Sequence, residues 1–258
     1  MPQPQSRIRL SGAIALVTGA NRGIGRALVD ALLARGAAKV YAAARRPETL
    51  DDLVAASQGR VVALPLDVTN PEQVRAAAAA ANDVQILINN AGVAAKFEGE
   101  LTDPAWITAA REETEVNVLG LLAVTQAFAP TLSRQPGSAV VNLGSVAGLV
   151  NFPFLASYSA SKAAAHSLTQ ATRARLRPLG VHVAGVYPGP IDTDMSRALA
   201  IEKTPASVAA HAILDGLEAG EDEIFPDPFA RQIGELFLKS PKALEDQQYA
   251  EAVPVAKG

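Results

Sequence analysis

Short apolar runs alternate along this chain with longer stretches whose apolar positions recur at helical spacing. Ala13 to Val17 is the first run, a buried-strand pattern followed by a glycine-rich turn. From Gly23 to Arg35, the residues Ile24, Leu28, Ala31 and Leu32 recur every one to four positions on one face. That spacing predicts a helix stopped at Gly36. Further strands are predicted over 39–43, 61–64, 84–88, 139–143 and 181–186, with a short last one over 223–225. Helices are predicted over 48–57, 71–81, 103–132, 157–177, 205–219 and 229–238. The second of these opens with Asn70 as N-cap and Pro71 at the first helical position, and its alanines 76–81 are strong helix formers.

Strict alternation of strands and helices implies a parallel sheet covered on both faces. Right-handed crossovers make it an α/β doubly wound, Rossmann-type sheet. The 258 residues contain no Pro/Gly/Ser-rich linker and no charge block, so they read as one domain. Residues 1–10 are expected to be a flexible N-terminal segment and 11–258 the folded unit. In such sheets ligands bind beyond the carboxyl ends of the strands, where strand order reverses. The segments just after each strand are therefore where chemistry is expected.

Composition narrows the field. Hydrophobic residues make up 49% and aromatic ones only 5%, so Ala, Val, Leu and Ile must fill the core. A net charge of −3 and the lack of a basic stripe argue against nucleic acid as a partner. With no cysteine, disulfides, cysteine-ligated zinc and thiol catalysis are excluded for this chain. The first twelve residues contain no apolar h-region, and no apolar run approaches the ~18 residues of a membrane span. The expectation is a cytoplasmic protein with no membrane partner.

Three clusters carry candidate chemistry. Thr18-Gly19-Ala20-Asn21-Arg22-Gly23-Ile24-Gly25 joins the first strand to its helix. Glycines permit a tight turn and close backbone approach to a pyrophosphate, and the helix N-terminus offers free N–H groups to phosphates. The spacing is Gly-x-x-x-Gly-x-Gly, and a purely structural turn would read the same way. After the second strand comes Tyr41-Ala42-Ala43-Ala44-Arg45-Arg46. An acidic residue here would hold the ribose 2′-OH of NAD, whereas arginine suits the 2′-phosphate of NADP. Ala44 stands where the acid would be, and Arg45 and Arg22 supply charge, unless they are ordinary surface arginines. The reading favours NADPH/NADP+.

The third cluster is Tyr158-Ser159-Ala160-Ser161-Lys162 near a helix start. Residues i and i+4 share a helix face. A free tyrosine, with a pKa of about 10, is a poor acid/base near neutrality. A neighbouring ammonium is expected to lower it. Ser145, thirteen residues earlier and just past the fifth strand, offers a hydroxyl to a carbonyl oxygen. Tyr-x-x-x-Lys alone usually marks an exposed helix face; the glycine turn and the serine in this order make it persuasive.

From about Ser11 to Met195 the chain resembles the short-chain dehydrogenase/reductase family in its shorter, single-domain form. Thr18 to Gly25 matches the family's cofactor turn, with Gly19, Asn21, Arg22, Gly23, Ile24 and Gly25 lining it. Asp67-Val68 matches the pair that contacts adenine. Asn89-Asn90-Ala91-Gly92 matches the segment that stabilises the sheet and lines the cofactor site. Asn117 matches the helical Asn that anchors a relay water, and Ser145, Tyr158 and Lys162 match the catalytic residues. Pro188-Gly189-Pro190-Ile191-Asp192-Thr193 matches the segment after the sixth strand, where Ile191 and Thr193 would hold the nicotinamide amide.

The resemblance implies a single dinucleotide-binding catalytic domain that interconverts a small-molecule carbonyl and its alcohol. Tyr158 would exchange the proton, Ser145 would hold the oxygen, and Lys162 would bond the nicotinamide ribose and depress the pKa of Tyr158. It also implies a homo-oligomer, dimer or tetramer. The chain departs from the family at its end, where Glu221 to Pro228 replaces the usual stretch around the last strand. That replacement favours a dimer through the helices at 105–132 and 157–177. The short segment between Asp194 and Pro205 implies a small lid. Phe97, Asn151, Phe152, Phe154, Met195 and Leu199 read either as an apolar substrate pocket or as loop packing. His166 reads as a helix-face residue, and Glu218 to Glu223 as a solvated turn. Two other functions stay open: an NAD-dependent alcohol dehydrogenase, and a non-catalytic NADP-binding sensor or scaffold.

Overall fold

The structure, a computed structural model, describes residues 8–95, 102–198 and 200–252. In chain order its elements are β1 (Ile14–Thr18), α1 (Gly23–Ala34), β2 (Lys39–Ala44), α2 (Asp51–Ala56), β3 (Val61–Pro65), α3 (Pro71–Ala80) and β4 (Ile86–Asn89). There follow α4 (Ala105–Thr114), α5 (Leu121–Leu132), β5 (Ala139–Leu143), α6 (Ala156–Leu176) and β6 (His182–Val186). The chain continues with β7 (Ile191–Asp192), β8 (Thr204–Pro205), α7 (Ala206–Ala219), β9 (Glu223–Ile224), α8 (Pro228–Lys239) and α9 (Pro241–Ala252).

Seven strands form one parallel sheet in the order β3-β2-β1-β4-β5-β6-β9, the doubly wound, Rossmann-type arrangement expected from the sequence. Strand order reverses between β1 and β4, which opens a crevice at their carboxyl ends. The central strands β4, β5 and β6 are buried at every position, because helices cover both faces. On one face Leu28, Leu32, Leu50 and Ile213 close the core; on the other Val74, Val124, Phe128 and Leu132 do. Ile8 and Leu10, from the segment set apart as flexible, are buried in the first of these cores, so packing begins before Ser11.

The structure departs from the pattern at several points. The stretch 103–132 is not one regular helix: α4 and α5 are joined by a π-helical segment, Glu115–Gly120, which contains Asn117. Such π segments cluster at functional sites. Over Ala105–Leu132 the chain is long and apolar enough to cross a membrane, contrary to the run-length reading. Half of its apolar window is instead buried, and the element packs on β4, β5, α3 and α6. The predicted strand at 84–88 is shifted to Ile86–Asn89, with Val84 buried in the preceding turn. β7 and β8 are too short to leave a pattern. α9 is polar, and Leu244 is its buried anchor.

Four buried polar side chains tie the middle of the fold together. Asn89 Nδ2 donates to Asn142 Oδ1 and Thr125 Oγ1, both at 2.9 Å. Asn142 Nδ2 donates to Thr169 Oγ1 at 3.0 Å. The network thus links β4, β5, α5 and α6 beneath the site. Asn142→Ala leaves the buried Asn89 amide and Thr169 hydroxyl each short of a partner, and is expected to cost about 2 kcal/mol of stability. A lower urea midpoint with an unchanged denaturant slope checks this.

Candidate active site

The glycine turn is built into the crevice between β1 and β4. Gly19 and Gly23 take left-handed φ values of 65° and 55°. A Cβ on Gly25 would lie 2.3 Å from Gly19 O and 2.4 Å from Asn90 Nδ2, so only glycine lets α1 approach the strands this closely. Thr18 Oγ1 accepts from the backbone N–H groups of Asn90 and Ala91, each at 3.0 Å. Asn90 Nδ2 donates back to Thr18 O at 2.9 Å and Gly19 O at 3.1 Å. The N-terminus of α1, reached through Asn21, Arg22 and Ile24, has no side-chain cap, and its N–H groups face the crevice. The cradle that a Cβ would fill, and this free helix end, fit a dinucleotide pyrophosphate.

At the outer end of the crevice Ala44 is buried and Arg45 is exposed. Burial alone would push the Asp67 carboxyl up. Bonds from Thr69 Oγ1 (2.7 Å) and Thr69 N (2.9 Å), together with the charge of Arg45, outweigh it and hold the carboxyl below its usual range. Val68 is buried beside Asp67. Arg22 reaches the other way, to Asp194 Oδ2 at 3.5 Å, bridging the glycine turn and the loop after β7. A Cβ on Gly23 would lie 3.1 Å from Thr193 Cγ2, so the two segments meet over the crevice.

Tyr158 lies next to Ser145 and Lys162, and Lys162 meets Asn117 beside Gly92. A Cβ there would lie 3.1 Å from Asn117 Oδ1 and 3.6 Å from Lys162 Nζ. Ser145 lies within hydrogen-bonding reach of the Tyr158 hydroxyl. Lys162 is 5% exposed, and its Nζ donates to Leu143 O at 2.8 Å while lying 5.7 Å from the centroid of the Tyr158 ring. The expectation that Lys162 lowers Tyr158 is not met. Burial of its hydroxyl pushes Tyr158 up to about 12, against a lowering contribution from Ser145 and with a raising one from Glu113. Burial also brings Lys162 down to about 8. Desolvation disfavours each charged form, and the ammonium faces a strand-end carbonyl rather than the phenol oxygen.

Asn117 uses both amide N–H groups, to Val93 O (2.8 Å) and Ser161 Oγ (3.0 Å), while its Oδ1 accepts from Val93 N (2.9 Å). Its side chain is thus a clamp on the segment after β4. Ser161, whose Oγ also donates to Tyr158 O at 2.7 Å, joins it to α6.

The segment after β6 closes the site. Pro188 O accepts from Val146 N (3.1 Å) and Ser145 Oγ (3.5 Å). Gly189 N donates to Asp227 Oδ2 at 2.8 Å. Asp227 is 1% exposed and also caps α8 through Ala230 N at 2.8 Å. Ile191 pairs with Thr204, which pins a short lid. Sequence reasoning missed the role of Asp227; its signal was Asp-Pro at an N-cap and first helical position.

Other candidates fall elsewhere. His166 Nδ1 lies 2.6 Å from the hydroxyl of buried Tyr187, away from the acid/base cluster. Glu218, Asp222 and Glu223 pair with Arg35, Arg177 and Arg173. At the mouth, Asn151 and Met195 are exposed, and Phe152 packs edge-on against exposed Phe154. Phe97 and Leu199 lie outside the described residues. A cavity of about 270 Å³ lined by Gln170, Arg173, Ala174, Arg177 and Pro178 sits at the C-terminal end of α6, the end away from Tyr158 and Lys162.

Comparison with known proteins agrees with this geometry. The sequence profile described as short chain dehydrogenase matches residues 13–204. The chain is 41% identical over 197 residues to galactitol 2-dehydrogenase (L-tagatose-forming) of Cereibacter sphaeroides, covering 73% of this chain and 75% of that one. Its fold matches a short chain dehydrogenase from Burkholderia cenocepacia J2315, solved in complex with NADP, with a TM-score of 0.87 and 42% identity. That match covers 96% of this chain and all of the other. A short chain dehydrogenase/reductase from Burkholderia phymatum, solved in complex with NAD, gives a TM-score of 0.78 at 26% identity over 92% and 97%. The protein belongs to the short-chain dehydrogenase/reductase family of oxidoreductases.

The buried lysine carries a stability cost with a definite pH signature. Lys162 titrates near 10.5 in the unfolded chain and near 8 in the fold. Between these values the unfolded chain holds the extra proton, so stability rises with pH through that window, and the cost is largest below it. Lys162→Met removes the charge as well as the bond to Leu143. It is expected to raise the unfolding free energy near neutrality by about 2 kcal/mol. It should also flatten the alkaline rise; denaturant melts across the window check both.

Proposed function

We propose that this chain is an NADPH-dependent carbonyl reductase that interconverts a ketone or aldehyde and its alcohol, with Tyr158 as the general acid. The observation that carries the reading is the chain of neighbours Ser145, Tyr158, Lys162 and Asn117, the last two meeting beside Gly92. Bound NADPH would supply the hydride. Gly19, Asn21, Arg22, Gly23, Ile24 and Gly25 would hold its phosphates, Arg45 the 2′-phosphate, Asp67 and Val68 the adenine, and Asn90, Ala91 and Gly92 the floor of the site. Pro188, Gly189, Ile191 and Thr193 would hold the nicotinamide end.

Ser145 orients the carbonyl oxygen, and Tyr158 gives it a proton as it becomes alkoxide. A tyrosine held protonated well above neutrality is a donor ready for reduction, and the alcohol-oxidising direction requires it as phenolate. Lys162 would bond the ribose hydroxyls of the bound nucleotide. Asn117 keeps the segment after β4 in register with α6. The aromatic lip at Phe152 and Phe154 suits an apolar carbonyl compound. Exposed Ile107 and Leu119 on the long helix support pairing of two copies through that face.

A second reading, an NAD-dependent alcohol dehydrogenase, draws support from the NAD-bound relative and the polyol-oxidising one. Buried Ala44 argues against it, since no carboxylate stands there to take a ribose 2′-OH.

Loss of reduced-nicotinamide absorbance over a panel of ketones and aldehydes tests the reaction. Turnover is expected with NADPH, and Tyr158→Phe should lower it about a thousandfold while leaving cofactor affinity intact. Turnover untouched by that change would sink the assignment. Arg45→Asp is expected to weaken NADPH binding at least about tenfold and NADH binding far less; equal losses would remove the 2′-phosphate role.

A further inference from the structure

Glu113 is 0% exposed in α4, with no cation bonded to it among the described residues. Its Oε1 accepts from Ala95 N at 2.8 Å. Its Oε2 is buried and has no hydrogen-bond partner. Leaving a buried carboxylate oxygen unmet is costly, and a protonated Oε2 would be a donor equally without an acceptor. A plain packing position would be better filled by leucine.

Its setting gives it a purpose. Glu113 stands one helical turn before Asn117 and faces the same extended segment. Asn117 grips Val93 through both its N–H and its C=O, and Glu113 grips Ala95, two residues on. The i, i+4 spacing of the helix thus matches the i, i+2 spacing of the chain leaving β4. Ser145, from the segment after β5, lies within hydrogen-bonding reach of the Tyr158 hydroxyl, and the Lys162 ammonium of α6, turned to Leu143 O, lies 5.7 Å from the centroid of the Tyr158 ring. Glu113 is the carboxylate whose charge acts on Tyr158.

We propose that Glu113 is a positioning residue of the acid/base centre, anchoring the segment after β4 through one oxygen and presenting a buried negative charge to Tyr158 with the other. The inference rests on the reductase reading of that site. The charge keeps Tyr158 in its proton-donating form, so Glu113 biases the centre toward carbonyl reduction.

The test separates the charge from the anchor. Glu113→Gln keeps a carbonyl oxygen for Ala95 N and removes the charge; Glu113→Leu removes both and needs no buried partner. Tyr158 ionisation is read in the full-length protein from phenolate absorbance, each chain against its own Tyr158→Phe counterpart. Both neutral variants are expected to release the Tyr158 proton at lower pH, with about tenfold more phenolate at a fixed alkaline pH. Glu113→Asp, which keeps the charge, is expected to titrate as the parent does. On a carbonyl substrate, Glu113→Gln should shift the pH profile with little change in KM, and Glu113→Leu should raise KM as well. Phenolate curves that coincide with the parent in both neutral variants overturn the proposal. This readout needs no turnover, so an inactive protein would count against the reductase reading and leave the Tyr158 titration decisive for Glu113.

Discussion

The reciprocal bonds between Thr18 and the Asn90-Ala91 backbone hold together the two strands on which the rest of the site depends. β1 and β4 are neighbours in the sheet, but their chains leave in opposite directions, so nothing in the ladder itself keeps their ends in register beyond the last pair. The threonine hydroxyl and the asparagine amide supply that register. Once they do, the glycine turn is fixed against β4, and α1 is drawn close enough that Gly25 can be nothing but glycine. Gly92 is then held where Asn117 and Lys162 meet. A crevice of fixed width follows from four short hydrogen bonds.

Around that crevice the fold keeps polar groups where an unspecialised α/β protein would bury hydrocarbon. Asn89, Asn142, Thr125 and Thr169 bond one another and unite strands and helices beneath the site, with Asn89 Oδ1 left unmet. Lys162, Tyr158 and Glu113 do not bond one another in this way. The lysine is pulled toward neutrality, the tyrosine is held protonated, and one glutamate oxygen goes unmet. Desolvation dominates the first two, at the carboxyl ends of the strands, where the topology already requires ligands to bind. The π segment serves the same end, turning Asn117 inward to clamp the chain leaving β4.

The carboxyl end of this chain differs in construction from its centre. After the two-residue β9, Asp227 caps α8 and at the same time receives Gly189 N, so the last helices are fastened to the segment that closes the site. Tyr187, buried between His166 and Phe225, fills the space beneath. The loop after β6 is therefore braced by residues some forty positions downstream, and the lid it carries is short and pinned by β7 and β8.

The sequence by itself determined the alternation of strands and helices, and hence the doubly wound sheet, because buried parallel strands read as unbroken apolar runs and their helices at a period of 3.6. It also placed Ser145, Tyr158 and Lys162 together, since i, i+4 spacing and position after a strand are local facts. Only the tertiary structure decided the electrostatics. The sequence spacing makes Lys162 a neighbour able to lower Tyr158, but burial raises the phenol and lowers the amine, and burial is a sum over residues far apart in the chain. The π segment, Asp227 and Glu113 were illegible for the same reason. Each is defined by a partner between eighteen and thirty-eight residues away or by a break in helical hydrogen bonding, and neither leaves a period in the sequence.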